Sequence, residues 1–133
     1  MLDQTISHYR ISQKLGAGGM GVVYQAVDLK LERTVALKFL PQEMVVSDVD
    51  KERLLREARS ASALDHPNIG VIYGIEESDD QQLFIVMAYY EGDTLAQRLN
   101  RGVLSLRESL DLAIQIARGL SGRTCSQHRA SRY

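Results

Sequence analysis

Five runs rich in β-branched and aromatic residues, Tyr9 to Ala17, Val22 to Asp28, Thr34 to Leu40, Val71 to Glu76 and Leu83 to Ala88, read as strands. Three other stretches repeat their apolar positions near the helical period. Ser47 is an N-cap for Asp48 to Leu64, which has acidic residues in its first turn and Leu54, Ala58 and Ala61 at helical spacing. Thr94 to Asn100 predicts a short helix, and Leu106 to Leu120 a longer one with Leu110, Ala113, Ile114 and Ala117 on one face. The first helix crosses between the third and fourth strands, and Pro67 in Leu64-Asp65-His66-Pro67-Asn68-Ile69 ends it. This order predicts an α+β chain that begins with a five-stranded antiparallel sheet and one packed helix.

The first two strands meet at Gly16-Ala17-Gly18-Gly19-Met20-Gly21. The spacing G-x-G-x-x-G also opens dinucleotide-binding units, where a strand precedes it and a helix follows. Here Val22-Val23-Tyr24-Gln25-Ala26-Val27 continues as a strand, which favours a hairpin roof over phosphates. Glycines let a backbone take positive φ and approach phosphate oxygens that a Cβ would hold away. One strand later, period-two alternation puts Ala36 and Lys38 on the same side. Alanine leaves space for a flat ring, and Lys38 brings a compact cation to the phosphate end. The plain alternative is a glycine-rich hairpin beside a solvated lysine. Glu57 stands three residues after Leu54 and four before Ala61, so it is expected on the packed face of the helix, with Lys38 as its partner; the alternative is a surface glutamate among Lys51, Glu52, Arg53 and Arg56. For His66, turn packing is the expected role, since no second His or Cys stands at ligand spacing. No metal-binding protein ligands are assigned.

G-x-G-x-x-G-x-V together with Val35-Ala36-Leu37-Lys38 resembles the signature set of protein kinases. From His8 to about Leu120 the chain is similar to bacterial, eukaryotic-like serine/threonine kinases, with Gly18-Gly19-Met20-Gly21 and Val35-Ala36-Leu37-Lys38-Phe39-Leu40 especially alike. The resemblance implies a kinase small lobe followed by the first helices of a truncated large lobe. It implies ATP as the ligand, held by Leu15, Gly16, Ala17, Gly18, Gly19, Met20, Gly21, Val23, Ala36 and Lys38. Glu57 would orient Lys38 through an ion pair. Leu83 to Ala88 would run into the hinge, with Met87 as gatekeeper, the backbone of Ala88 and Tyr90 on adenine, and Asp93 near the ribose. A protein substrate is the partner implied for an intact family member.

Composition adds exclusions. The 133 residues are 44% hydrophobic and 25% charged with a net charge of −1, a balance that gives no support to nucleic-acid binding. The apolar run at Leu83 is too short to span a membrane, and Met1-Leu2-Asp3-Gln4-Thr5 shows no signal peptide, so a cytoplasmic location is the default. A single cysteine, Cys125, excludes an intrachain disulfide framework and is read as incidental.

These readings divide the chain into an N-terminal extension (1–7), a small lobe (8–88), hinge and first large-lobe helices (89–120) and an aberrant tail (121–133). Phosphoryl transfer in the family needs a catalytic aspartate and an asparagine in H-R-D-x-x-x-x-N, and a second, metal-holding aspartate in D-F-G. Neither string occurs, and His128-Arg129-Ala130 has alanine where the aspartate belongs. The expectation is therefore an ATP-binding half that is inactive by itself, with Mg²⁺ bound only if the missing half is supplied. A noncatalytic nucleotide-binding or partner-docking module is the alternative. After Leu120 the apolar periodicity gives way to small and basic residues. With permitted codons, reading the tail one nucleotide later spells Ala-Ala-Ala-Arg-Ala-His-Ser-Ile-Val-His-Arg-Asp, the family's helix end and catalytic loop. A frameshift near codons 120 and 121 is expected, with a divergent terminus as the alternative. Nucleotide sequence from the Ala117 codon onward checks this: a one-base shift should restore His-Arg-Asp and later Asp-Phe-Gly, and its absence would remove the frameshift.

Overall fold

The computed structural model describes residues 2–18 and 20–130, the side chains of 125–130 excepted. Gly19, the Cys125 side chain and residues 131–133 of the tail lie outside the described residues. The chain forms two compact units, Met1–Ala63 with Val71–Tyr89, and Leu64–Gly70 with Tyr90–Tyr133.

The first unit is a six-stranded antiparallel sheet with one helix. Its strands are β1 (Thr5–Ile6), β2 (Tyr9–Gly18), β3 (Gly21–Asp28), β4 (Arg33–Phe39), β5 (Ile72–Glu77) and β6 (Leu83–Ala88), in the order β1-β2-β3-β4-β6-β5. Alternation along β4 organises the sheet. Val35, Leu37 and Phe39 point to one face, where they join Tyr9, Ile11, Ala26, Phe84 and Val86 in the core. Register brings Leu37 opposite Val86 and Phe39 opposite Phe84. The Phe39 and Phe84 rings stack at 5.2 Å, and Tyr9 meets Phe84 edge-on at 6.0 Å. Such aromatic pairs add directional attraction to the burial of their area.

Five of these strands are those expected, within a residue or two. The sixth, β1, corrects the five-stranded expectation. Two residues carry no period to read, and the strand is set by its flanks: Asp3 and Ser7 adopt positive φ, and Asp3 N–H donates to the Ile11 carbonyl. The helix α1 (Asp48–Ser62) starts where Ser47 predicts, with the Ser47 side chain accepting from Asp50 N–H. A single 3₁₀ turn, Gln42–Met44, precedes it. α1 packs against β5, and Lys51 reaches Glu77 at 2.6 Å. None of its side chains is fully buried.

The β3–β4 turn is built on Asp28, which is 2% exposed. Its Oδ1 accepts from Lys30 N–H at 2.9 Å and Leu31 N–H at 3.1 Å. Burial by itself would raise the Asp28 carboxyl, but the Leu31 and Lys30 N–H groups, with His8 and Arg33 nearby, outweigh it and hold it below the usual carboxylate range. Burial also pushes the Tyr9 hydroxyl well up, helped by its hydrogen bond to Glu76.

The second unit contains α2 (Leu95–Asn100) and α3 (Leu106–Ala130). Thr94 and Gln97 form a reciprocal capping box at the start of α2. Arg98 pairs with Glu108 at 3.2 Å. The His66-Pro67-Asn68 turn sits against α3, where a Cβ on Gly122 would meet the His66 ring at 2.6 Å and one on Gly119 the Asn68 carbonyl oxygen at 2.7 Å. His66 Nδ1 accepts from Asn68 N–H at 3.0 Å, so turn packing is its role. α3 passes the expected stop at Leu120 and continues to Ala130. No proline interrupts this stretch, its arginines are good helix formers, and its serines, threonine and Gly122 lower helix propensity without breaking a helix. Leu106, Leu110, Ile114 and Leu120 remain exposed on it. Among the described residues, no helix is long and apolar enough to cross a membrane.

An acid-stability profile tests the turn. A carboxyl whose folded-state value is depressed stabilises above its unfolded value, and that stabilisation is lost as pH falls through the folded value. Wild-type stability should therefore fall below about pH 4. Asp28→Ala should cost about 1–2 kcal/mol at neutral pH and flatten that acid limb in urea denaturation.

Candidate functional site

Opposite partners in an antiparallel pair share a face. Lys38 lies opposite Val23 on one side and Ile85 on the other, and Ala36 lies opposite Gln25 and Met87. Val23, Gln25, Ala36, Lys38, Ile85 and Met87 thus form one patch on the face of the sheet away from the core. The sequence singled out four of them. Ile85 and Gln25 are added by register alone, a signal that requires knowing that β4 pairs with β6 as well as β3.

The glycine hairpin borders this patch. Gly16 lies opposite Val23, Ala17 opposite Val22 and Gly18 opposite Gly21. A register shift between Lys14 and Gly16 leaves Leu15 as the extra residue, exposed beside the patch. Ala17 and Met20 are exposed at the tip. The described glycines of the loop serve two different ends. Gly21 has φ +115° and a Cβ there would collide with the Phe39 carbonyl oxygen, so the fold itself requires glycine. Around Gly16 and Gly18 a Cβ would meet nothing within 4 Å. Among the described residues nothing sterically demands glycine at either position.

Lys38 is half-buried, and among the described residues no carboxylate lies within ion-pair distance of it. Glu57 is exposed, which corrects its expected place on the packed face of α1. The buried-side stripe is Leu54, Leu55, Ala58 and Ala61, all half-buried. Leu55, not counted in the sequence pattern, turns the centre of the stripe away from Glu57 and puts that residue on its flank. The Lys38–Glu57 ion pair is therefore not formed here.

The residues expected at a hinge divide between the units. In the first, Met87 is half-buried on the patch, and Ala88 N–H donates to the Val71 carbonyl at 2.9 Å. Any contact of Ala88 with a base is thus through its carbonyl. In the second, Tyr90 is exposed, and Asp93 is gripped by Arg101 through two bonds of 2.6 and 3.0 Å. Arg101 ends α2 as its C-cap residue, eight positions beyond Asp93, and no sequence motif points to the pair.

The two classes of glycine separate experimentally. Gly21→Ala should lower thermal stability by about 2–4 kcal/mol through strain and collision. Gly16→Ala should leave the melting temperature within about 2 °C of wild type, because its Cβ enters open space. Scanning calorimetry of both variants checks this.

A family model described as "Protein kinase domain" matches residues 9–123. The chain is 42% identical over 114 residues to the serine/threonine-protein kinase PrkC of Bacillus subtilis, covering 85% of this chain and 17% of that protein. It is 38% identical over 117 residues to PknA of Mycobacterium tuberculosis, covering 84% of this chain and 27% of PknA. Among solved structures, the PknI kinase domain of M. tuberculosis superposes with a TM-score of 0.80 at 29% identity, over 92% of this chain and 50% of that domain. The chain thus spans about a quarter or less of these curated relatives and half of a solved kinase domain. With a match over most of its length, the chain belongs to the protein kinase domain family and is similar to its bacterial serine/threonine members.

Proposed function

We propose that the chain is the ATP-binding half of a serine/threonine protein kinase, which transfers the ATP γ-phosphate to protein hydroxyls when its catalytic half is supplied. The observation that carries this reading is the patch itself. Ala36 and Lys38 share a face with Val23 and Met87, beside two glycines that the protein does not sterically require. A base would lie against Leu15, Val23 and Ala36, with the Ala88 carbonyl at its polar edge. Phosphates would lie beneath Gly16, Ala17, Gly18, Gly19, Met20 and Gly21, neutralised in part by Lys38. The cytoplasm, where ATP and protein acceptors meet, is the location this reading entails.

The donor set for a metal does not fit. Among the described residues no three of His, Cys, Asp and Glu converge, so no step through Mg²⁺ is assigned to this chain. Glu57 would have to reach Lys38 to orient it, and its exposed position favours the second reading, a noncatalytic nucleotide-binding or partner-docking module.

Titration with ATP distinguishes them from no function at the patch. Wild type should bind ATP weakly, and Lys38→Met should reduce affinity about tenfold, since it removes the cation facing the phosphates. Equal affinity in both proteins would overturn the site. Transfer of phosphate to a generic protein acceptor is expected to be undetectable, and transfer blocked by Lys38→Met would contradict the assignment of an inactive half.

A further inference from the structure

The opposite face of the same sheet holds a second, chemically distinct cavity of about 330 Å³, at the end where β3 turns into β4. Lys30, Arg33, Asp28 and Glu76 line it, together with the His8 ring. The two carboxylates are already engaged. Asp28 Oδ1 takes the Lys30 and Leu31 N–H groups and lies 3.6 Å from His8 Nε2, and Glu76 Oε1 takes the Tyr9 hydroxyl at 2.7 Å. Arg33 lies near Asp28, yet neither cation has a hydrogen-bond acceptor among the described residues. Among the described residues nothing accepts a hydrogen bond from the Arg33 guanidinium, whose Nε is shielded from solvent, and nothing accepts from Lys30 Nζ.

Arg33 is nevertheless held in place. Its Cζ lies over the Tyr73 ring, 3.7 Å from the centroid. Tyr73 is the extra residue where the β5–β6 register shifts between Ile72 and Gly74, a bulge of the kind that re-aims a side chain. With Cζ over the ring and Nε enclosed, the Nη1 and Nη2 edge is the part left for a ligand. A guanidinium positioned this way, without an acceptor, is a preformed fork for a planar anion. Gly74, also in the lining, leaves open space where a Cβ would stand.

We infer that this cavity binds a small organic carboxylate, its two oxygens on Arg33 Nη1 and Nη2 and its hydrocarbon part against Leu31, Tyr73 and Val86. Two cations and two carboxylates balance in the wall, so net charge does not draw the ligand. Selection comes from the fork. Asp28 and Glu76 disfavour a doubly charged phosphate more than a singly charged carboxylate, and the apolar wall favours a carbon chain. The site belongs wholly to the first unit and is independent of the nucleotide reading.

NMR titration of the full chain tests it, following the Arg33 Nε–H and the backbone amides of Tyr73 and Gly74 at constant ionic strength. Butyrate should shift them saturably, at concentrations of about 1–10 mM, while butanol and butylammonium of the same length should not. Arg33→Lys keeps the charge and loses the fork, and should weaken butyrate about tenfold by the two amide signals. Lys30→Gln, at an exposed position that no fold contact of the side chain supports, should weaken it about twofold and covers the case in which Arg33→Lys fails to fold. No saturable shift with butyrate, equal shifts with butanol, or unchanged affinity in Arg33→Lys or Lys30→Gln would each overturn the inference.

Discussion

The two-residue period of β4 is the constraint on which the first unit depends. Val35, Leu37 and Phe39 are almost wholly buried on one face, and the residues between them, Ala36 and Lys38, must therefore emerge on the other. A slip of one residue would exchange a core phenylalanine for a lysine. Core packing thus fixes the position of the candidate phosphate-binding cation, and it does so without any contribution from a ligand. Neighbouring strands transmit the same alternation, since Tyr24 and Val86 lie opposite Leu37 while Val23 and Ile85 lie opposite Lys38.

Most of this was legible because period two is a local property. Strand positions, the Ser47 cap and the side shared by Ala36 and Lys38 all follow from residues within one turn or one strand. What was not legible depends on longer distances or on too few residues. β1 has only two residues and is defined by hydrogen bonding to β2. Glu57 was misplaced because the centre of a helical stripe shifts when one leucine is added, and Leu55 is that leucine. The length of α3 escaped because a sequence rich in serine, arginine and glycine reads as a break, whereas Gly119 and Gly122 are where the His66 turn packs. The Asp93–Arg101 pair spans a whole short helix and leaves no periodic trace.

The glycine loop illustrates why a motif and a structure carry different information. The string G-x-G-x-x-G treats its glycines as equivalent. In three dimensions Gly21 is required by the Phe39 carbonyl and by its backbone angle, while among the described residues no atom requires glycine at Gly16 or Gly18. A glycine costs conformational entropy wherever it occurs. Where the fold does not need one, its presence is better explained by something that approaches from outside the chain, and both such glycines border the face that carries Lys38.

The same sheet separates two kinds of polar chemistry because its two faces cannot exchange residues. On one, Lys38 stands, among the described residues, without an acid partner beside an open glycine hairpin. On the other, Asp28 is committed to a turn and Glu76 to Tyr9, so Arg33 is left with an aromatic ring and no acceptor. Arg33 cannot satisfy itself by taking Asp28 without competing with the two N–H groups that hold the β3–β4 turn. The bulge at Tyr73 supplies the remaining restraint, a ring face that stabilises the cation by its quadrupole while, among the described residues, leaving the guanidinium without a hydrogen-bond acceptor. An arginine fixed by stacking rather than by hydrogen bonds keeps its hydrogen-bonding capacity, and that capacity is what makes the cavity a site rather than a gap in packing.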